Sequence, residues 1–535
     1  MNATPSVSPR THRVLVATGV WVGVTIAVTL GLLARPVNVR DETWMLWVGT
    51  RVARGEVLYR DVYNVTTPLA AWLTALAVRV FGVEIVVVRV LAAAIFAAEV
   101  VMAQSVARRV GMSRAARGVL GVLLVACASP LVAFVSLYSA LAILGALVTL
   151  RAVLWWQDRF GAGLPGAAWA VGAAVAVTFW SKPNIGVYAG IAVLVAMGAT
   201  AFRVGIRALF PEAARTAGGF AAVSAAAIAV VAGTGGWSAF VDQVFLSKGA
   251  YVDVGFSYVA VLAERVQLLS GGNDEAELHR IWYLAIHASL PIAVVALVVG
   301  VWFARRASRE RVVALAAFTV VGLVSVFPRP GVNHITGVLT LVLAGVTGVW
   351  MLGLVARRGS APAGRPVAVA VALVGAVAVL AVGVVVYPVV RNRNLPHFVH
   401  SVVHFSASPL SRGQSAAAGR LGDELRARGV HSVFIAREDA GFLYLRSGTT
   451  NPLPYDIVEK SDLGASGQRG VIRRIESGEV EWVCLHPHRP ARTADDPLIP
   501  RRLEQWVRAN LEPAGKLARC DLYRATAGSD TGPRA

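Results

Sequence analysis

Two adjacent acidic residues follow the first long apolar run of the chain and are its leading candidates for chemistry. Asp41 and Glu42 stand directly after Arg40, in a chain in which charged residues make up only 15% of the total. A carboxylate can take a proton from a reacting hydroxyl group, which is general-base catalysis. The same pair could instead simply begin a helix, because acidic side chains in a first turn interact favourably with the helix dipole. Position alone favours neither interpretation.

Long uncharged segments surround the acidic pair and predict a protein that crosses a membrane several times. Residues 14–34 and 118–150 contain no charged side chain, and a run of about 20 apolar residues can span a bilayer. Arginine-rich segments separate the apolar runs and can all be placed on one side, which is the positive-inside pattern. We predict about eleven transmembrane helices, at residues 14–34, 85–107, 118–136, 138–156, 166–181, 183–202, 217–236, 282–304, 312–327, 331–356 and 366–390.

The charge pattern also predicts the topology. Residues 1–13 carry Arg10 and Arg13 and are expected to be a cytoplasmic N-terminal tail in the cell (inner) membrane. An odd number of spans then places the acidic pair and the C-terminus outside the cytoplasm. The net charge of +20, from 51 basic and 31 acidic residues, is explained by these loops, so no nucleic-acid partner is expected.

Residues 36–83 form the first external loop in this topology. The loop contains one apolar stretch, Pro68–Gly82, whose apolar part is too short to cross a bilayer comfortably. Counting it as a span would also invert every later basic loop, against the positive-inside rule. We therefore predict a helix that lies in the membrane interface.

The composition changes after residue 390 and predicts a small extracytoplasmic α/β domain over residues 391–525. Helices are expected at Leu421–Gly429, Gly470–Gly478 and Leu503–Asn510, and strands at Val430–Ala436, Val480–Leu485 and Leu517–Arg524. Residues 526–535 are expected to be a disordered tail. Cys484 and Cys520 fall in two of these strands. A disulfide between them is an alternative, but we favour two unpaired thiols, since sequence does not determine cysteine geometry.

A series of short motifs follows the acidic pair. They are Gly55-Glu-Val-Leu-Tyr-Arg-Asp61, Thr67-Pro-Leu, Phe81-Gly and Val88-Arg89. Their order and spacing resemble the first external loop of the C-type (GT-C) membrane glycosyltransferases. The likeness is to the bacterial branch related to protein O-mannosyltransferases and aminoarabinose transferases, which has "G-x-x-x-Y-R-D", "P-P-L" and "F-G" in this order. Thr67 stands where that branch has the first proline.

A second motif in the C-terminal domain extends the resemblance. Gly441-Phe-Leu-Tyr-Leu-Arg-Ser-Gly448 precedes Asn451-Pro-Leu-Pro-Tyr-Asp456, which looks like the "Y-F-L-S-G … N-P-T-R-Y-D" segment of these transferases. The sequence does not reveal its role there, and an ordinary loop built around Pro and Gly is the alternative. The span layout extends the likeness over most of residues 14–390, which predicts a GT-C-like transmembrane catalytic domain.

The resemblance implies transfer of a sugar from a polyprenyl-phosphate donor at the external face, with inversion. The acceptor would be a cell-envelope glycan, lipid or protein, and membrane lipid surrounds the site. Asp41 is then the expected general base and Glu42 a group that orients the acceptor, a cation or a neighbouring basic residue. Arg40, Tyr59, Arg60 and Asp61 are further candidates for binding the substrate or its phosphate.

The resemblance also places basic residues near span ends, where they would hold the carrier phosphate. The candidates are Arg89, Lys182 in Trp180-Ser-Lys-Pro-Asn184, and Arg329 and His334 in Phe327-Pro-Arg-Pro-Gly-Val-Asn-His334. Lys182 and Arg329 could instead reach the lipid headgroups. His334 could be an interface histidine, and Arg89 could pair with Glu84 or with the acidic loop.

No metal site is predicted. Some relatives place a second acid in the external turn between the third and fourth spans, but Ser136-Leu-Tyr-Ser139 carries none, and no zinc-like His/Cys spacing occurs. No cofactor is required for the expected reaction, and a divalent cation stays an open alternative.

Two other function classes fit a polytopic membrane protein. A secondary transporter or lipid flippase without transferase activity is the main alternative, although transporters tend to place charges at mid-bilayer in repeated halves. A non-enzymatic scaffold for the C-terminal domain would leave Arg40–Asp61 without a role. The sugar, the carrier lipid and the acceptor are not identified by the sequence.

Overall fold

A computed structural model of the chain describes residues 9–33, 37–128, 137–160, 166–247, 257–267, 274–327, 330–357, 412–459, 463, 466–487 and 499–525. The chain divides into two compact units. The first, called the helical unit, comprises Met1–Leu32, Arg89–Ala227 and Phe256–Arg393. The second, called the mixed unit, comprises Leu33–Val88, Ile228–Gly255 and Asn394–Ala535.

Long apolar helices make up the helical unit. Numbered along the whole chain, they are α1 (Pro9–Leu33), α4 (Ile85–Arg109), α5 (Arg114–Ala128), α6 (Leu137–Arg159), α7 (Gly166–Ser181), α8 (Pro183–Val204), α9 (Phe210–Gly233), α11 (Tyr258–Gln267), α12 (Asp274–Phe303), α13 (Arg309–Val324) and α14 (Val332–Arg357). Seven helices among the described residues are long and apolar enough to cross a membrane. The prediction of a multi-pass helical membrane protein is confirmed.

Helices lie in ten of the eleven predicted spans as far as the structure describes them, because residues 129–136 of the span at 118–136 and the whole of the eleventh span, 366–390, lie outside the described residues. The largest differences from the prediction are at two N-terminal boundaries. The helix expected at 217–236 begins at Phe210, and the one expected at 282–304 begins at Asp274. In both cases the polar residues that were assigned to a loop continue the helix at its N-terminal end.

Small residues allow the membrane helices to approach closely. A Cβ added to Gly172 of α7 would collide with the carbonyl oxygen of Thr216 in α9, and one added to Gly219 would collide with the carbonyl of Trp169. Without a hydrophobic driving force between helices in lipid, such close packing is a main source of helix association.

The mixed unit combines the first loop with the C-terminal domain. The loop supplies α2 (Asp41–Ala53) and α3 (Leu69–Phe81). A separate segment of the same unit supplies the short α10 (Trp237–Val241), which continues into a π-helical turn at Asp242–Leu246. The C-terminal helices are α15 (Arg412–Ala427), α16 (Ala440–Ser447), α17 (Gly467–Glu476) and α18 (Arg501–Asn510).

The helix α3 matches the short apolar helix predicted at 68–82. Its buried side chains, Ala70, Ala71, Thr74, Ala75 and Val78, share one face, and Leu76, Val80 and Phe81 are exposed. A Cβ added to Gly49 of α2 would meet the side chain of Thr74, so α2 and α3 pack closely. The exposed apolar face suits a helix that lies in the membrane interface.

Four strands form one sheet in the order β1-β2-β4-β3. They are β1 (Phe434–Ile435), β2 (Trp482–Leu485), β3 (Glu512–Leu517) and β4 (Cys520–Arg524). The β1–β2 pair is parallel, and the other two pairs are antiparallel. Most of the strand predicted at Leu517–Arg524 is present as β4, but the prediction missed that Leu517 ends a separate strand, β3. Residues 518 and 519 form a tight turn. The residues before the turn form β3, a separate strand at the edge of the sheet that pairs with β4.

The expectation of two unpaired thiols is wrong, because Cys484 and Cys520 are joined in a disulfide with Cα atoms 5.3 Å apart. Cys484 pairs across the sheet with Leu522, two residues beyond Cys520. Residues two apart in a strand share one face of the sheet, so the register places both sulfur atoms on the same side.

Candidate active site

The acidic pair lies in the first turn of α2, where an asparagine organises both side chains. Asn38 Oδ1 accepts hydrogen bonds from the backbone N–H groups of Arg40 and Asp41, at 3.0 and 3.1 Å. Its Nδ2 donates to Asp41 Oδ2 at 3.0 Å, and its backbone N–H donates to Glu42 Oε2 at 3.0 Å. These bonds provide partners for amide groups that the start of a helix leaves open. Sequence analysis missed Asn38, although an Asn just before a helix start is a recognisable capping signal.

The two acids have different surroundings. Glu42 is only 1% exposed and accepts a backbone hydrogen bond, which fixes its orientation. Asp41 is partly exposed. Burial raises the pKa of Asp41 above its ordinary value, while the charge of Arg40 and the hydrogen bond from Asn38 oppose the rise. A raised pKa makes an accessible carboxylate a better proton acceptor, so Asp41 suits a base and Glu42 a positioning group.

A turn held by buried contacts follows α2. Gly55 and Tyr59 both have positive φ, at 102° and 73°. A positive φ is ordinary for glycine but uncommon for a residue such as tyrosine. Tyr59 keeps this conformation because its N–H donates to the carbonyl of Val62 at 2.7 Å and its hydroxyl donates to the carbonyl of Thr66 at 2.8 Å. The residue is 1% exposed. The structure therefore places Tyr59 inside the protein.

A glutamine of the π-helical turn secures the same segment. Gln243 Nε2 donates to the carbonyl of Tyr59 at 2.7 Å, and its Oε1 accepts the N–H of Asn64 at 3.0 Å. The ring of Phe240 meets Tyr59 edge-on at 5.0 Å between centroids. Residues near 240 thus fix the conformation of a turn 180 positions earlier in the chain.

Arg60 and Asp61 lie at the surface of this turn. Arg60 Nε and Nη2 each donate to the Asp61 carboxylate at 2.9 Å, and Asp61 Oδ2 accepts the N–H of Val57 at 2.8 Å. The hydrogen bond from Arg60 lowers the pKa of Asp61 and keeps it ionised. The side chain of Arg60 is 55% exposed and is accessible to an anionic ligand.

Sequence analysis missed a buried ion pair that ties α2 to the C-terminal domain. Arg51 Nη1 donates to Asp456 Oδ1 at 2.8 Å and to the carbonyl of Leu453 at 3.2 Å. Its Nη2 donates to the carbonyl of Asp61 at 2.8 Å, and its Nε donates to Glu56 Oε2 at 2.8 Å. Burial opposes the charge on Arg51, but Asp456 and Glu56 outweigh burial and raise its pKa. One guanidinium group therefore fixes α2, the following turn and the C-terminal motif together.

Asp456 is the centre of this contact. Its Oδ1 also accepts hydrogen bonds from Trp47 Nε1 at 2.8 Å and Asn451 Nδ2 at 3.0 Å. Its Oδ2 has no hydrogen-bond partner within the described parts of the chain. The first and last residues of the Asn-Pro-Leu-Pro-Tyr-Asp motif are therefore bonded to each other. This contact gives the motif a structural role that the sequence alone did not reveal.

The preceding motif forms α16 and packs on the same face of α2. A Cβ added to Gly441 would lie 3.1 Å from the carbonyl oxygen of Thr43 and from the backbone of Trp44. One turn later, Tyr444 stacks on Trp47 with ring centroids 5.2 Å apart. The segment is a helix and not the loop that sequence analysis considered as the alternative. Its glycine is needed for close approach to the helix that carries the acidic pair.

A further ion pair lies beside the acidic pair. Arg40 pairs with Glu459, whose side chain is 6% exposed, while the side chain of Arg40 is 39% exposed. The structure thus brings Arg40, Asp41 and Glu42 together in one turn, with Tyr59, Arg60 and Asp61 in a separate turn bonded to the same helix through Arg51.

The remaining candidates belong to the helical unit. Lys182 precedes α8, donates from Nζ to Ser139 Oγ at 3.0 Å and lies 5.4 Å from the centre of the Tyr138 ring. Arg89 is fully buried and donates to the carbonyl of Leu32 at 2.7 Å, near the C-terminal end of α1. A cation there interacts favourably with the helix dipole. His334 lies in the first turn of α14 and is partly exposed, and Arg329 lies outside the described residues.

No group of three or more His, Cys, Asp or Glu side chains that could hold a metal ion occurs within the described residues.

Outside the acidic pair, Glu99 is 2% exposed within α4 and accepts a hydrogen bond from Thr340 Oγ1 at 2.6 Å. That acid has a partner inside the helical unit, which is consistent with a structural role.

Comparison with known proteins identifies the fold. No protein-family model and no curated protein matches the sequence. The crystal structure of ArnT from Cupriavidus metallidurans bound to undecaprenyl phosphate matches with a TM-score of 0.58 and 15% identity, over 97% of this chain and 99% of that one. The apo state of the same protein matches with a TM-score of 0.52 and 14% identity, over 97% and 99%.

A third structure, of the arabinofuranosyltransferase AftD from Mycobacteria, has a TM-score of 0.50 and 13% identity, over 98% of this chain and 40% of that one. At such identities the likeness shows the fold. The predicted architecture, with membrane helices and a small C-terminal α/β region, is confirmed as a fold shared with the ArnT structures.

Proposed function

We propose that this chain is a membrane glycosyltransferase that moves a sugar from a polyprenyl-phosphate donor to an acceptor hydroxyl at the external face of the membrane. The observation that carries the proposal is the acidic pair: a fixed, buried Glu42 beside a partly exposed Asp41 with a raised pKa. The shared fold with ArnT, which was solved with undecaprenyl phosphate bound, supports the choice of donor.

The reaction we propose is a single displacement at the anomeric carbon. The acceptor oxygen bonds to that carbon as the bond from the carbon to the carrier phosphate breaks, which inverts the configuration. Asp41 takes the proton of the acceptor hydroxyl. The phosphate leaves as an anion, so no strong general acid is needed, and cations that stabilise it lower the barrier.

The other candidate residues would divide into ligand-binding and supporting groups. We propose that Lys182, Arg329 and His334 hold the carrier phosphate and that exposed Arg60 contacts an anionic part of a substrate. Arg89 and Tyr59 are buried and each donates to a backbone carbonyl, so each would support the candidate residues of its own unit. A divalent cation is not required by this scheme and stays open as an addition.

The proposed topology follows the basic loops, with the N-terminal tail in the cytoplasm and both the first loop and the C-terminal domain outside it. Residues 36–83 would form an interfacial loop, 14–390 the transmembrane catalytic domain and 391–525 the extracytoplasmic domain. The acceptor would be a cell-envelope glycan, lipid or protein.

Asp41→Asn tests the base directly. Sugar transfer from a labelled polyprenyl-phosphate sugar should be abolished, while the amount of protein in the membrane and its thermal stability are retained. Asp423→Asn is a matched control, because it makes the same substitution at a carboxylate whose side chain is 75% exposed. Unchanged transfer by the Asp41 variant would remove this residue from the proposed mechanism.

A further inference from the structure

A cavity in the C-terminal domain is lined almost entirely by groups that bind anions. It has a volume of about 430 Å³, and its lining residues are Ser466, Gln468, Arg469, Arg473 and Arg502. Ligand sites in proteins typically occupy roughly 300–1,000 Å³. The cavity is therefore large enough for a sugar phosphate or a lipid headgroup.

Two helices meet at this cavity by their N-terminal ends. Gln468 Oε1, in the first turn of α17, accepts the backbone N–H of Leu503 in the first turn of α18 at 2.9 Å. Each helix has 10 residues. A helix N-terminus carries partial positive charge and open N–H groups. The cavity thus receives two such ends in addition to its arginines.

Among the residues that the structure describes, the three arginines lack the carboxylate partners that other arginines of the domain have. Arg474 pairs with Glu479, and Arg508 pairs with Asp521. Within the described residues, no carboxylate forms an ion pair with any arginine of the cavity, and all three are exposed. Their guanidinium groups are therefore available to a ligand.

The placement of these charges opposes local helix stability. Arg469 and Arg502 stand in first turns, where a cation interacts unfavourably with the helix dipole. Arg469 and Arg473 are four residues apart on α17, a spacing at which like charges repel. Sequences that violate local rules without a compensating contact tend to do so at functional sites. A bound anion would offset the repulsion between these arginines and stabilise the two helix ends.

From the cavity, the unpaired arginines and the two helix ends, we infer that this site binds a phosphate-bearing glycan or lipid headgroup. The planar guanidinium group binds phosphate oxygens in a bidentate manner. That the bound molecule is the acceptor of sugar transfer rests on the proposed function. The binding of phosphate itself does not.

Inorganic pyrophosphate is a suitable probe for the purified full-length protein. Calorimetric titration in 150 mM salt should show saturable binding, and Arg469→Gln/Arg473→Gln should weaken it at least about tenfold, because each change removes charged hydrogen bonds to phosphate. Arg420→Gln/Arg428→Gln is a matched control, since it removes the same charge from exposed positions outside the cavity. The control should bind as the wild type does.

Equal affinity in the cavity variant and the wild type would overturn the inference, as would an equal loss in the control, which would indicate a general effect of net charge. Nanodiscs distinguish the two sources of phosphate. Competition by phosphatidylglycerol, compared with phosphatidylcholine alone, would assign the site to a lipid headgroup, and its absence to a glycan phosphate. Pyrophosphate binding requires no sugar transfer, so this experiment and the Asp41 experiment can fail separately.

Discussion

The buried pair between Arg51 and Asp456 should control the stability of the helix that carries the acidic residues. Asp456→Asn keeps an oxygen for Trp47 but removes the charge that faces Arg51 and leaves an amide where Oδ2 has no partner. Breaking a buried ion pair by removing one partner costs about 3–5 kcal/mol. Glu56, which remains bonded to Arg51 and is partly exposed, limits the loss, so we expect about 3 kcal/mol.

Hydrogen exchange followed by mass spectrometry measures this cost locally. When exchange is governed by the opening equilibrium, about 3 kcal/mol corresponds to a roughly hundredfold loss of protection. The loss of protection should appear in peptides from α2 and from residues 451–459. The second segment is also bonded to the turn after α2, because the Tyr63 N–H donates to the carbonyl of Pro454 at 2.9 Å. Asp423→Asn should leave protection of the same peptides unchanged.

A double-mutant cycle separates the pair from its surroundings. Arg51→Met combined with Asp456→Asn should be less destabilised than the sum of the single variants, by about 2 kcal/mol. Strictly additive losses, or unaltered protection of α2 in the Asp456 variant, would refute the assignment of this pair as the link between α2 and the C-terminal motif.

Four further outcomes are expected. Gly441→Ala should destabilise the mixed unit by about 1 kcal/mol in thermal unfolding, because its Cβ would lie 3.1 Å from the backbone of α2 and the cost of this close contact exceeds the helix propensity that Ala gains over Gly; unaltered stability would contradict this. Lys182→Met should raise the KM for the donor roughly tenfold or more in steady-state kinetics; an unchanged KM would exclude Lys182 from phosphate binding. Replacing Cys484 and Cys520 by Ser should cost about 4 kcal/mol for a loop of 36 residues in the chain-entropy model, and equal unfolding midpoints would speak against the disulfide. The raised pKa of Asp41 predicts that transfer declines with acidification at a pH above the ordinary value of 3.8. A pKa that is raised in the folded state means that folding disfavours the ionised carboxylate of Asp41. Any stability that the protonated carboxyl group contributes is therefore lost as pH rises through the folded-state pKa. We accordingly expect that Asp41→Asn does not lower the free energy of unfolding at neutral pH.

Local patterns in the sequence predicted most of the helical unit, and the alternative in which the acidic pair begins a helix describes α2. Apolar runs about one bilayer thick between arginine-rich loops specify membrane helices, and the helices lie where these runs occur. The helix at Leu69–Phe81 was predicted as too short to span, and the structure gives it that length. Each of these features depends on residues close together in the chain.

Long-range contacts could not be predicted in this way. Arg51 and Asp456 are 405 positions apart, and neither the helical periodicity around Arg51 nor the Pro-rich motif around Asp456 indicates a partner. For the same reason the disulfide was considered but not favoured and the β3–β4 hairpin was missed, because both depend on strand register. The C-terminal motifs could be recognised but not explained until Asp456 and Gly441 were seen to contact α2, with Asn451 bonded to Asp456.

Turnover of a polyprenyl-phosphate sugar by the purified protein in proteoliposomes tests the central claim most directly. With a panel of labelled donors and cell-envelope acceptors, the account predicts that one donor is consumed and that free polyprenyl phosphate and glycosylated acceptor appear in equal amounts, with inverted configuration at the sugar. The Asp41→Asn protein should produce neither. Consumption of the donor at the same rate by the Asp41→Asn protein, or transport of the intact donor without transfer, would contradict the account.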